Sequence, residues 1–277
     1  MHTFGSNLPW NTTMKLALCI CAACIPSLFP QVCEAGEPDT ATIVRRSVEA
    51  NARNYEALPR FNYFKIERGR DGINRTYEEM MLFGSRYSRL IAIDGEPLPA
   101  DRQKEQQRQL DQTSQQRAQE PPKVRAKRVA GYEQERQRDQ LLLNEMANAF
   151  EFTLIGEEVV GSPDVYVLEA RPRGGYKPPN MRAKVLTGMN GTRWIEKKTF
   201  QWVRVEAEVI RPVSIEGFLA RVQPGTRFEL DQAPVSEDLW LPTDFSMKAR
   251  AKILFFFSKM DDQDETYYGY YPAAPEA

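Results

Sequence analysis

The side chains that could do chemistry in this chain are carboxylates. Glu206 and Glu208 stand two residues apart in an alternating stretch, Gln201 to Ile210, that reads as a strand. Side chains two apart share a strand face and lie about 7 Å from each other. Two carboxylic acids at that separation can cleave a glycosidic bond. A second acidic group, Asp261-Asp262, Asp264 and Glu265, offers oxygens to a calcium ion. Neither pattern is specific. Alternating glutamates are what the wet face of a strand looks like, and the aspartates lack the glycine and periodicity of a dedicated loop. They read as a solvated turn between two strands. No catalytic residue, no metal ligand and no cofactor is assigned, and the chain reads as a binding protein, not an enzyme.

The remaining chemistries are absent beyond position 35. All four cysteines (Cys19, Cys21, Cys24, Cys33) and the single histidine, His2, precede it. Ser–His–Asp and Cys–His catalysis, thiol redox chemistry and nearly every zinc site need one of these side chains.

Those early residues belong to an export signal. Residues 16–29 are apolar, Lys15 supplies the positive charge, and Cys33 and Ala35 are the small residues before a cut that leaves Gly36 first. No Lys or Arg precedes Met14, which makes Met14 an alternative start to Met1. A lipoprotein signal is the second reading, with Cys21-Ala22-Ala23-Cys24 as lipobox and Cys24 as the acylated residue. The apolar Ile25-Pro26-Ser27-Leu28-Phe29-Pro30 that follows is a poor tether. The expected compartment is the periplasm. Residues 36–277 suffice for one large domain with its own core. A net charge of −1 gives no basic footprint for nucleic acid. The mature chain has no second long apolar run and so no membrane-spanning segment.

The elements follow from periodicity. Asp39 to Tyr55 reads as a helix capped by Asp39 or Thr40, with Val44, Val48, Ala52 and Tyr55 on one stripe. Strands follow at Phe61–Arg68, Arg75–Phe83 and Tyr87–Ile93, with turns at Asp71-Gly72 and Asp94-Gly95. Residues 99–140 then turn rich in Gln, Arg and Glu, split by Pro121-Pro122; they read as a charged excursion, helical hairpin or flexible. From Phe150 onward the chain alternates almost throughout: Phe150–Leu154, Val165–Arg171, Trp194-Ile195, Gln201–Ile210, Gly225–Gln232, Leu239–Pro242, Phe245–Ser258 and Glu265–Tyr271. Residues 172–191 read as a long loop, and Pro212–Val222 has apolar residues at helical spacing. The expected class is α+β: a large curved antiparallel sheet, an incomplete half-barrel covered by a few helices, with a closed sandwich as the alternative.

Strict alternation puts Val203, Val205, Ala207 and Val209 on one face and Trp202, Arg204, Glu206 and Glu208 on the other. The same reasoning gathers a concave apolar surface from Phe150, Phe152, Leu154, Val203, Val205, Val209, Phe228, Leu230, Met247, Ile253 and Phe255, with Phe218 and Leu219 from the crossing helix. Either it is an ordinary filled core, or it is a cavity whose coverage is completed by a lipid chain. Few helices are available to cover it, which favours the cavity.

Three runs carry a family resemblance: Arg193-Trp194-Ile195-Glu196, the strand Gln201–Ile210, and Gly217–Glu229 with its Gln223-Pro224-Gly225-Thr226 turn. Together with the helix through Asn51-Ala52-Arg53 to Tyr55 and with Gly156-Glu157-Glu158-Val159-Val160, they resemble the exported outer-membrane lipoprotein-sorting, LolA-like carriers. The resemblance implies an incomplete barrel whose helices enclose a cavity for acyl chains. It implies lipid acyl chains or lipidated protein as partners, and a strand arginine that latches the helical lid. Arg204 and Arg250 stand on polar faces and read equally as surface charges. The 99–140 segment is extra to that family. The expected function is a periplasmic carrier or chaperone, non-covalent throughout; the alternative is an envelope sensor or protein-interaction module built on the same fold.

Overall fold

The computed structural model describes residues 37–160, 163–215, 220–253 and 257–274. The signal-peptide expectation, with Cys24 and the choice between Met1 and Met14, lies outside them. So do Phe218, Leu219 and Phe255.

The first element, α1 (Thr40–Ala57), starts where expected: Asp39 is extended and accepts the Thr42 N–H at 2.7 Å. That bond to the backbone N–H holds its carboxyl below the usual range. The buried face differs from the expected stripe. It comprises Ile43, Ser47, Ala50, Asn51 and Asn54. Three of these are polar: the Ser47 hydroxyl donates to the Val44 carbonyl one turn back, and distant groups bond Asn51 and Asn54. Val44, Val48, Ala52 and Tyr55 flank that face, only half-buried.

Strands β1 (Phe61–Arg68), β2 (Asn74–Leu82) and β3 (Ser85–Ile93) follow, with a short β4 (Glu96–Pro97). Asp94 and Gly95 both have positive φ, 50° and 82°, the mirror-image turn that suits the twist of paired strands. Phe83-Gly84 makes the same turn between β2 and β3, with φ of 48° and 82°. The charged excursion is a helical hairpin, α2 (Ala100–Ala118) and α3 (Pro122–Ala149), broken at Pro121. No residue of α2 is buried. The hairpin docks through polar bonds. Arg117 donates to the Leu82 and Ser85 carbonyls at 2.8 and 3.1 Å, and Arg128 clasps Glu120 while reaching Ser85 Oγ at 2.6 Å.

The second half is strand: β5 (Phe150–Val159), β6 (Asp164–Pro172), β7 (Met189–Glu196), β8 (Trp202–Val209), β9 (Val213–Ile215), β10 (Ala220–Val222), β11 (Arg227–Ser236), β12 (Leu239–Ile253) and β13 (Phe257–Pro272). A turn of 3-10 helix, Ala183–Gly188, closes the long loop. One antiparallel sheet runs β4-β3-β2-β1-β13-β12-β11-β8-β7-β6-β5 and does not close into a barrel. Helix α1 touches both β5 and β12, which have four strands between them, so the sheet curls around it. The α+β half-barrel is therefore the fold.

Three expectations are corrected. The crossing helix over Pro212–Val222 is a hairpin, with Val213 paired to Val222 and Ile215 to Ala220. Strand β11 begins opposite Lys248, which leaves Ala251 to Ile253 of β12, paired to β13 on one edge, open on the other, and β10 fills that edge. The acidic group Asp261-Asp262, Asp264 and Glu265 lies within β13 and is no turn; Asp264 accepts from Ser246 Oγ at 2.6 Å. Strict alternation fails in β8. There Trp194 pairs Arg204 and Ile195 pairs Trp202, so Val203 is a bulge. Trp202 and Val205 then share one face, while Val203 packs on the other with Val165, Val167 and Trp240.

Candidate functional site

Register places the inner face of the sheet row by row. Leu154, Leu168, Arg193, Val205, Leu230 and Phe245 stand side by side on β5, β6, β7, β8, β11 and β12. The next row is Phe152, Ala170, Gly191, Ala207, Phe228 and Met247. Its three middle members are small, so the row dips between Phe152 and Phe228 into a trough, and Ala170 at one end of it is buried in a cluster with Ala183, Leu186 and Met189 on which Ala207 also packs. A Cβ on Gly191 would stand 2.7 Å from the Glu206 carbonyl oxygen, so this position fits no larger residue without a backbone shift.

The expected cleft residues divide as follows. Phe150, Val205 and Val209 are buried. Phe152, Leu154, Phe228 and Leu230 pack against the core clusters but remain partly exposed. Phe228 meets Phe245 edge-on, with ring centroids 5.3 Å apart. Met247 faces Phe228 across the ladder, and Ile253 pairs Ala220 in backbone register. Val203 is not among them, because the bulge turns it outward.

Two helices roof this face. Ile43 and Val44 of α1 and Leu143 and Met146 of α3 pack on the cluster of Tyr166, Leu168, Ile195, Trp202 and Val205. Tyr55 and Arg136 tie the helices together. The Tyr55 hydroxyl donates to the Arg136 carbonyl at 2.6 Å, and the Arg136 guanidinium donates to the Tyr55 carbonyl at 2.7 Å. A buried amide network pins α1 to the sheet. Asn54 Nδ2 donates to Gln201 Oε1 at 2.6 Å, the Trp240 N–H donates to Asn54 Oδ1 at 3.3 Å, and Gln232 donates to Asn51 at 3.3 Å.

Further along the same face the lining turns polar. Phe245 neighbours Glu265, and Glu265 neighbours Glu67. Lys65 lies within 3.2–3.7 Å of Glu67, Glu79 and Glu265. Burial alone would push the Lys65 ammonium down, but the charges of Glu265 and Glu79 outweigh it and hold it above its ordinary value. The inner surface is thus apolar over β5 to β12 and ionic over β13 to β2.

One residue escaped the reading of the sequence. Arg193 is 2 % exposed and sits in the middle of the apolar half. Its guanidinium lies 4.2 Å from the centre of the Trp202 ring and 5.1 Å from that of Phe152. Among the described residues its Nε and Nη1 have no hydrogen-bond partner, nor has Trp202 Nε1. Burial pushes the guanidinium down to about 9. Parity was the available signal, since Arg193 stands two residues before the apolar Ile195.

The outer face carries the carboxylates. Glu206 is exposed opposite Glu229, and Glu208 pairs Arg227 at 3.3 Å. Arg204 makes a forked pair with Asp231 at 2.7 and 3.1 Å, which raises its pKa. Arg250 is exposed. Among the described residues no group of three or more His, Cys, Asp or Glu could hold a metal ion. A separate groove of about 470 Å³ lies between β3 and α2, lined by Arg89, Leu90, Ile91, Leu98, Gln103 and Gln107. Among the described residues no helix is long and apolar enough to cross a membrane.

No family model and no curated protein matches the sequence. Three solved structures are similar to it. A putative outer membrane lipoprotein-sorting protein domain from Vibrio parahaemolyticus is 9% identical, covers 83% of this chain and 93% of its own, and gives a TM-score of 0.29. A LolA superfamily protein from Nitrosomonas europaea is 11% identical over 85% of this chain and 94% of its own, with a TM-score of 0.29. A DUF1329 family protein from Desulfovibrio piger is 11% identical over 84% and 95%, with a TM-score of 0.27. At this distance a likeness carries no function across; the geometry of the inner face has to.

Proposed function

We propose that this protein is an exported envelope carrier that holds acyl chains, free or on a lipidated protein, between the apolar half of the sheet and helices α1 and α3. The observation behind this reading is the trough itself. Ala170, Gly191 and Ala207 are small between Phe152 and Phe228, the Ala183–Gly188 turn packs at the Ala170 end, and Phe152, Leu154, Phe228 and Leu230 stay partly exposed beside the core they pack on. Apolar surface left half-covered is stabilised when an acyl chain takes the place of water, by about 25 cal/mol per Å² removed. Binding needs no covalent step, and the α1 roof is held by amide bonds that can re-form after a chain enters. The periplasm is the compartment in which such a carrier would work. Of the helical hairpin, the end of α3 is part of this roof, while α2 has no buried residue and is the addition.

A fluorescent long-chain fatty acid titrated into delipidated protein tests this. Wild type is expected to bind in the micromolar range, and Ala207→Leu, which fills the trough, to weaken binding at least tenfold with the fold kept. If cooperatively folded wild type binds no such probe, the exposed hairpin favours a protein-interaction role in the envelope instead.

A further inference from the structure

Three donors in the cleft are left without acceptors: Arg193 Nε, Arg193 Nη1 and Trp202 Nε1. Trp202 is 1 % exposed and Arg193 2 %, and they stack at 4.2 Å. The fourth buried side-chain atom without a partner among the described residues, Gln232 Oε1 on β11, is an acceptor and bonds none of them. No carboxylate among the described residues pairs with Arg193; its neighbours across the ladder are Leu168 and Val205. The buried amides of α1 are bonded to Gln201, Gln232 and the Trp240 backbone, so they offer it nothing.

Burying a guanidinium without an anion is unfavourable by several kcal/mol. The rings of Trp202 and Phe152 return part of this, since a cation over an aromatic face is attracted to it. They leave the in-plane N–H groups unmet. An oxyanion would meet them with charge-assisted hydrogen bonds, the strongest class available inside a protein.

We propose that Arg193 and Trp202 form a receptor for the oxyanion head of a single-chain amphiphile, whose tail lies along the adjacent trough. This rests on the carrier reading and adds to it: the anion sits deep, beneath the roof, and the tail runs outward toward Phe228 and Leu230. Ligand choice then depends on the head as well as on chain length. A carboxylate and a phosphate monoester share the chemistry, and affinity for each tells which the site prefers.

The test uses delipidated protein, palmitate, hexadecyl phosphate and hexadecanol, with Arg193→Met, Arg193→Lys and Trp202→Phe as variants. Wild type is expected to bind at least one anion ten or more times tighter than the alcohol. Arg193→Met should weaken the anions at least tenfold more than the alcohol and so abolish that preference, and Arg193→Lys should keep part of it. Equal affinity for anions and alcohol in wild type overturns the receptor and leaves the carrier reading standing. The Trp202 indole N–H resonance, followed during titration with butyrate, reports on the head site alone. If it shifts while no long-chain ligand binds, the carrier reading falls and the amphiphile receptor with it, leaving Arg193 and Trp202 as a site for small anions only. If it stays fixed and nothing binds, both fall.

Discussion

Arg193 is held charged in a place where its charge is unfavourable, and that has a consequence for stability. Its pKa lies at about 9 in the folded protein, well below the ordinary guanidinium range it has in the unfolded chain. A base whose folded pKa is depressed destabilises the fold at all pH values below the folded pKa. The unfolded chain keeps the proton to higher pH, so this term turns toward stability as pH rises above 9. Arg193→Met should therefore unfold at higher urea than the ligand-free wild type at pH 7. Its advantage should shrink by up to about 1.4 kcal/mol per pH unit above 9. Using the difference between the two proteins cancels the tyrosines, several of which are pushed up by burial and so lower stability as pH rises through the range where they ionise in the unfolded chain. An advantage that stays constant from pH 7 to 11 would place the charge elsewhere. Arg193 was readable from parity with Ile195, but an arginine in an alternating strand is ordinarily assigned to water. Nothing local marks the exception. What makes it buried is Trp202, nine residues on, and Trp202 reaches that face only because of the bulge at Val203.

Helix α1 is attached by amides more than by apolar contact. Asn54 binds Gln201, 147 residues away, and the Trp240 N–H, 186 residues away. Asn54→Leu is expected to cost about 3 kcal/mol in urea unfolding, because it leaves a buried carboxamide and a backbone N–H unmet. Val48→Ala, on the half-exposed flank, should cost under about 1 kcal/mol. Comparable losses from both would mean that the helix is held by its apolar stripe. That stripe is what the helical period alone picked out. Position and cap of the helix were legible, since Asp39 and the period are local facts, but its inward face was not. Which side of an amphipathic helix goes in was decided by partners that the sequence does not mark as partners. The strands show the same division. Period-two patterning located nearly all of them, whereas the bulge in β8 depends on what Ile195 pairs with across the ladder. Residues 212–222 satisfied both periods, and the open edge of β12 chose the strand.

At the scale of the molecule, the sheet joins two runs of locally paired strands. The first is β4 to β1, the second is β11 to β5, and the strands that join them are β12 and β13. Strand β13 is thus central in space and last among the elements in sequence, with Glu67 opposite Glu265 and Phe61 opposite Pro272. This was not visible in the pattern of hydrophobicity, which finds strands and leaves their order open. Each side of the sheet can begin as hairpins as soon as its strands exist, but the two cannot become one sheet until β13 has been made. Pairs this distant in sequence are slow to form, because loop closure must precede the contacts that reward it. Refolding from urea should therefore be slow, in milliseconds to seconds, and two-phase, with hairpin formation ahead of inner-face closure. Deleting residues 257–274 should leave secondary structure in place but remove the cooperative transition. A shortened chain that still unfolds in one step would contradict this. If the chain is exported unfolded, as the carrier proposal requires, the delay is an advantage: while its central strand is still arriving, the polypeptide stays threadable, and its cleft takes shape only on the far side.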